Sequence, residues 1–320
     1  MFGLLIRSSA ASGNAASTIA KRAQPRLILL ARRAFSSSAQ EFKYLTKEQK
    51  DATVWIRLNR PDLHNAFNED VIAEVTNAFR QVTNDVKELS KTASTSGPSL
   101  PRAVVLTGNG PSFSAGADLS WMKKMAKYTK EQNKKDSEQL YDMFHSISSC
   151  PVPVIARVNG AALGGGSGLV AACDFAFAVK SAKFGFTEVS LGLIPAVISR
   201  FCMDKIGAGH ARRYFLTGER FSADEAMRIG LVESTYENME ELDAALEKVL
   251  NVISNNSPAA VRAAKQLIYD VTDKQFNVNQ PETRDFLSSA IANIRVSEEA
   301  QGGLNAFLNK QPVPWLLKKQ

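Results

Sequence analysis

Apolar and polar positions alternate or cycle along most of this chain, and the period changes from segment to segment. "ATVWIRLNRP" (52–61) alternates and is rich in β-branched residues, which predicts a strand ended by Pro61. "NEDVIAEVTNAFRQVTNDV" (68–86) opens on Asn and Asp, then repeats Val71, Ile72, Val75, Phe79 and Val82 at helical spacing. That pattern predicts a capped amphipathic helix. "RAVVLTGNG" (102–110) and "VPVIARVNG" (152–160) are short apolar runs ending in Asn-Gly, the mark of buried strands entering turns. "FSAGADLSWM" (113–122) predicts a loop entering a helix, and "DFAFAVKSAKFGFTEVSLG" (174–192) two further short strands. From about residue 200 the period turns helical, through "SADEAMRIGLV", "MEELDAALEKVLNVI", "SPAAVRAAKQLIYDV" and "RDFLSSAIANI". "SPAAV" places a Ser cap before a Pro at the first helical position. "KTASTSGPSLP" (91–101) is a polar loop, and no repeat of 20 to 50 residues is visible.

One stretch breaks the economy of these elements. "NGAALGGGSGLVAACDFAFA" (159–178) sets three adjacent glycines where the chain turns into a helix. Each costs roughly 1 kcal/mol relative to alanine inside a helix. Either a tight packing turn or a backbone approached closely by a ligand accounts for them. "FSAGADL" (113–119) has the same layout: buried strand, small residues, helix start. Unpaired N–H groups at a helix N-terminus attract negative charge. Two such loops brought together form an oxyanion hole, in which a single donor is worth about 2.7–4 kcal/mol of transition-state stabilisation. Each loop alone reads equally well as a packing turn. Neither is a phosphate loop, since the Lys-Ser/Thr pair is absent and the spacing is not GxGxxG.

Composition narrows the classes. The 320 residues are 44% hydrophobic and 22% charged, ordinary for a soluble globular protein. The net charge of +7 arises at the start of the chain. Residues 1–39 hold six of the 39 basic residues and no acidic one, which leaves 33 basic against 32 acidic in the remainder. That near-neutral body argues against a nucleic-acid-tracking surface. An Arg- and Ser-rich, acid-free leader has the composition of a mitochondrial transit peptide, and "ARRAFSSS" places a cleavage after Phe35. The matrix is the expected location. The longest apolar run of the leader, "LILLA" (27–31), is far below a membrane span of about 20 residues, and no later run reaches that length. Cys150, Cys173 and Cys202 are too few and scattered for a disulfide framework or metal motif, and His64, His145 and His210 stand alone. No metal and no cofactor are expected.

"NRPDLHNAF", "VVLTGNGPSFSAGADL", "PVIARVNGAALGGGSGLVAACDF" and "KFGFTEVSLGLIPA" resemble, in order and spacing, the enoyl-CoA hydratase/isomerase (crotonase) superfamily. The resemblance runs from about residue 50 to "EEAQGGLNAFLNKQPVPW" (298–315). It is nearest the methylglutaconyl-CoA hydratase type, through "HNAF", the glycine after the triplet and "FGFTEVSLGLIPAVIS". The implied fold is α/β, a crotonase-like spiral of ββα units with a helical C-terminal region. The implied organisation is a transit peptide (1–39), a catalytic core (40–250) and a helical oligomerisation region (251–320) that assembles trimers or hexamers.

The resemblance also implies site residues. The backbone N–H groups of Ala117 and Gly165 polarise a thioester carbonyl, and Glu188 is the principal acid/base. Leu63, Ala115 and Ala117 contact coenzyme A, which is part of the substrate, and Phe307 and Lys310 contact its nucleotide end. Asp118 is expected as a helix cap. The family's hydratases carry a second glutamate twenty positions before the first, and here that position is Gly168. Ser167 is adjacent but its hydroxyl is a poor acid. Hydration of an enoyl-CoA, with 3-methylglutaconyl-CoA of leucine degradation foremost, is the leading expectation. Its rivals are a single-glutamate isomerase and a non-catalytic CoA- or RNA-binding scaffold. Dienoyl isomerisation is disfavoured, because its extra aspartate falls at Ala196. A glycine at 168 removes a charge that repels a carboxylated acyl group and leaves room for a branch. Arg200 or Arg157 then becomes the cation for that carboxylate.

Overall fold

The computed structural model describes residues 42–92, 100–273 and 276–316. The transit-peptide assignment and the centre of the 91–101 loop lie outside them.

The apolar runs form the middle of a six-stranded sheet ordered β1-β2-β3-β5-β7-β10. Strand β3 (Ala103–Gly108) is buried at every residue, and β5 (Val154–Val158) and β7 (Phe175–Val179) at all but one. They pair in parallel, so both faces are covered and an unbroken apolar run is required rather than alternation. Strand β2 (Thr53–Leu58) alternates because only Val54, Ile56 and Leu58 face inward. Its antiparallel partner β1 (Leu45–Lys50) is a polar edge, "LTKEQK", with one buried residue. Polar edges resist pairing with other chains.

A four-stranded sheet, ordered β4-β6-β8-β9, comprises β4 (Ser112–Ser114), β6 (Ala161–Leu163), β8 (Lys183–Gly185) and β9 (Arg220–Ser222). Each of the pairs β3/β4, β5/β6 and β7/β8 sends its first strand to the large sheet and its second to the small one, then continues into helix. This is the expected ββα spiral. Strand β10 (Ser234–Tyr236) returns to the large sheet beside β7.

Helix α1 (Glu69–Thr92) buries Val71, Ile72, Val75, Phe79 and Val82, and Asn68 Oδ1 accepts the Val71 amide at 3.1 Å. Helix α2 (Leu119–Met125) follows β4, and α3 (Lys130–Ser148) begins with a capping box between Thr129 and Gln132. Helix α4 (Gly165–Ala172) follows β6, and α5 (Ala196–Thr217) carries a break at Gly207, where φ is 68°. The chain continues through α6 (Ala223–Arg228), α7 (Met239–Asn255), α8 (Pro258–Asp273), α9 (Pro281–Arg295) and α10 (Glu298–Leu308). Buried Lys265 of α8 donates to Asp174 at 2.6 Å and to the Val152 carbonyl at 3.1 Å, fixing α8 against the starts of β5 and β7. The three cysteines are buried and free, and no described helix is long and apolar enough to cross a membrane.

Candidate active site

Strands β4, β6 and β8 are adjacent and parallel, so their C-terminal ends lie side by side. From those ends emerge Ala115–Asp118, Gly164–Gly166 and Thr187–Glu188 respectively. Ligand sites in open parallel sheets form at such ends.

Gly116, with φ of 84°, brings the first two loops together. The Cβ it lacks would stand 2.6 Å from the Leu163 carbonyl oxygen and 3.4 Å from the Gly165 nitrogen. Ala117 forms a parallel bridge with Phe67, in which Phe67 donates to the Gly116 carbonyl (2.8 Å) and Asp118 donates to the Phe67 carbonyl (3.0 Å). In that ladder the Ala117 N–H points away from Phe67. Among the described residues it donates to no acceptor, and neither does the N–H of Gly165 at the first position of α4. Phe67 also supports the second loop, since a Cβ on Gly165 would meet its Cζ at 2.4 Å. Both expected donors therefore sit unpaired on touching loops.

Asp118 caps α2 as expected, accepting the Ser120 amide at 2.7 Å, and its other oxygen accepts from Arg60 at 2.8 Å. Burial pushes its carboxyl pKa up, but the Ser120 hydrogen bonds and Arg60 outweigh that and leave it below the ordinary value. Arg60 also donates to the Ala66 carbonyl at 2.7 Å, which braces "NRPDLHNAF" from within, while its bond to Asp118 ties that segment to the loop carrying Ala117. His64 and Asn65 lie at positive φ there, and buried Asn65 holds the Asn109 and Ser112 carbonyls. The Ala115 amide donates to the His64 carbonyl at 2.9 Å, which sets exposed Ala115 against the turn that carries exposed Leu63. Arg60, Asn65 and Phe67 lie within "NRPDLHNAF", but nothing in the periodicity of the chain marks them as the braces of the site.

Glu188 opens a short 3-10 turn (Glu188–Leu191) after β8. It is half-buried, and its Oε1 would be 3.4 Å from a Cβ on Gly164, the residue just before α4. Its Oε2 is buried without a hydrogen-bond partner. Burial holds its pKa above the ordinary glutamate value, with only its own amide opposing. A carboxylate left unsatisfied beside free N–H donors makes Glu188 a candidate for proton transfer. Leu191, Leu193 and Ile194 follow it directly and are each at least half exposed, an apolar surface available to an acyl chain.

Gly168 has no space around it. A Cβ would meet Ile198 Cγ2 at 2.4 Å and Phe144 Cε1 at 3.1 Å. The expected room for an acyl branch at that point is corrected: Ile198 and Phe144 occupy it. Ser167 is fully buried and donates to the Ala162 carbonyl at 2.7 Å, so its hydroxyl is a structural pin between β6 and α4. Arg157 is held bidentate by Asp243 on α7 at 2.6 and 2.8 Å. Arg200 is exposed and pairs with Asp204 one turn along α5. Two residues beyond Ile198, it is rotated by about 200° around the helix from the side facing Gly168. Phe307 and Lys310 are exposed at the end of α10, which is anchored through Ser257–Glu299 beside the start of β3. No group of three or more metal-ligating side chains occurs among the described residues.

The enoyl-CoA hydratase/isomerase family model matches residues 48–318. The short-chain-enoyl-CoA hydratase of Clostridium acetobutylicum is 34% identical over 271 residues, covering 84% of this chain and 95% of that protein. An enoyl-CoA hydratase structure from Shewanella pealeana superposes with a TM-score of 0.77 at 37% identity, covering 86% of this chain and 97% of its own. A Legionella pneumophila structure of an enoyl CoA hydratase/isomerase (crotonase) gives 0.76 at 40% identity, covering 86% and 100%. With its unpaired amides and single carboxylate, this chain belongs to the enoyl-CoA hydratase/isomerase family.

Proposed function

We propose that this protein hydrates enoyl-CoA thioesters. The observation that carries the reading is the unpartnered Glu188 carboxylate, raised in pKa by burial, at the helix mouth where the free Ala117 and Gly165 amides meet. The thioester oxygen accepts from both amides, so charge that develops on it as the enolate forms meets preorganised donors. Glu188 takes a proton from water as the water oxygen bonds to C3, then returns a proton to C2. Leu63, Ala115 and Ala117 line the approach of coenzyme A, with Phe307 and Lys310 assigned to its nucleotide end.

For the acyl group we assign 3-methylglutaconyl-CoA, on the resemblance of "HNAF" and "FGFTEVSLGLIPAVIS". Arg200, exposed on the side of α5 turned away from Gly168 and paired with Asp204, is not placed to meet the distal carboxylate of that acyl group. The acid-free leader supports a matrix location, and the apolar residues left exposed on α9 and α10 support a homo-oligomer, a trimer or hexamer. Gly168 favours one second reading. With Ile198 in the place of a second carboxylate, Glu188 alone also suffices to carry a proton between C2 and C4 and move a double bond.

Absorbance at the enoyl-thioester band separates the two, using the chain starting at Ser36 and a panel of acyl-CoAs. Signal lost with crotonyl- or 3-methylglutaconyl-CoA is hydration. Signal gained from a 3-enoyl-CoA without any loss from 2-enoyl substrates is isomerisation and overturns the hydratase assignment. Silence throughout favours a scaffold.

A further inference from the structure

Thr187 stands immediately before Glu188, at the N-cap of the 3-10 turn. A threonine there ordinarily uses its hydroxyl to cap the turn. This one makes no capping bond, and its hydroxyl has no hydrogen-bond partner among the described residues. The orientation is set by packing. Its methyl Cγ2 faces Gly185, whose missing Cβ would lie 3.3 Å away, while Oγ1 lies 3.7 Å from the Cβ position of Gly164. That same point is 3.4 Å from Glu188 Oε1. The free hydroxyl and the free carboxylate therefore border one spot at the mouth of α4.

A water attacking C3 carries two O–H bonds, and only one proton goes to Glu188. In a dry site the other O–H needs an acceptor, or the water is held loosely and at a cost. The position where a second carboxylate would supply that acceptor is occupied by Ile198 and Phe144, which offer none. We propose that Thr187 Oγ1 accepts the remaining O–H of the attacking water and positions it beside Glu188. The proton balance is unchanged by this contact. Glu188 receives one proton from water, the oxygen bonds to C3, the C2=C3 pair moves onto the thioester oxygen, and Glu188 returns a proton to C2. Thr187 gains and loses none. It is a positioning residue, and its assignment rests on the hydratase reading above.

The test compares Thr187→Val, which keeps the shape and removes the hydroxyl, with Thr187→Ser, which keeps the hydroxyl. Two rates are measured: hydration of crotonyl-CoA, and exchange of the C2 hydrogen of butyryl-CoA in D2O, which needs the amides and Glu188 but no attacking water. The expected result is a fall in hydration kcat of about 10- to 100-fold in T187V with little change in KM, the loss of one hydrogen bond to the reacting water. T187S retains most of the hydration rate, and exchange persists in both variants. T187V hydrating at the wild-type rate overturns the proposal. So does exchange falling as far as hydration, which marks a structural role, or T187S failing as badly as T187V. A wild-type protein that exchanges C2 hydrogen but hydrates no substrate overturns the hydratase reading itself, and this assignment with it.

Discussion

Gly116 rests against Gly165: the side chain that Gly116 lacks would stand 3.4 Å from the Gly165 nitrogen and 2.6 Å from the carbonyl just upstream. This contact is what turns two separate strand ends into one pair of donors. The left-handed backbone of Gly116 and the missing Cβ are both required, because a methyl there displaces the α4 mouth from Ala117.

Gly116→Ala therefore damages the site from outside the chemistry. Strain at positive φ and the clash with backbone cost roughly 2 kcal/mol of stability in a urea melt. Hydration kcat falls at least about 100-fold, the scale of one lost oxyanion donor. A G116A protein with the wild-type rate would show that the two loops do not act together.

The ion pair of Arg60 and Asp118 is nearly buried, which makes breaking it more costly than a surface pair. Asp118→Ala removes the α2 cap as well and is expected to cost about 2–3 kcal/mol. Because the folded Asp118 pKa is depressed, its contribution is present above the unfolded value and is lost as pH falls through the folded value. Chemical denaturation of wild type and D118A across pH 2–6 reads this as a stability gap that closes in acid.

Glu188 has the opposite sign. Its folded pKa is raised, so its relative contribution is greatest below the unfolded value and is lost as pH rises through the folded one. Glu188→Gln should stabilise the protein near neutral pH, by about 1 kcal/mol for relief of an unsatisfied buried carboxylate. The gain should vanish below the ordinary glutamate pKa. A glutamine variant less stable than wild type at pH 8 contradicts the burial argument.

Gly168→Glu alone should be strongly destabilised, since Ile198 Cγ2 lies where its Cβ must go. Combining it with Ile198→Ala removes that methyl, and the pair should recover most of the lost stability in a double-mutant cycle. Arg200 points away from the Gly168 side of α5, so Arg200→Ala should leave KM unchanged for 3-methylglutaconyl-CoA and crotonyl-CoA alike. A KM raised for 3-methylglutaconyl-CoA alone would contradict that geometry and put Arg200 at the acyl carboxylate.

Much of this was legible in the chain because burial leaves a period. Val71, Val75 and Phe79 announce α1, and unbroken apolar runs announce β3, β5 and β7. Strand β1 was not legible, since "LTKEQK" is a polar edge held by its partner rather than by a core. Helix α3 leaves no such period, because "KEQNKKDSEQ", its first half, is wholly polar and only Met143, Phe144 and Ile147 are buried apolar residues. The positions of Ala117, Gly165 and Glu188 came from ordered motifs and not from periodicity. The Arg60–Asp118 brace spans 58 positions, and the filling of the Gly168 site by Ile198 spans thirty; neither has a local signature.

The most direct measurement is turnover of Glu188→Gln beside calorimetric binding of an unreactive acyl-CoA. We predict that hydration drops by about 1,000-fold or more, within the range for loss of a general acid–base, while the ligand binds as to wild type through the Ala117 and Gly165 amides. A glutamine variant that hydrates at an undiminished rate would contradict the account outright.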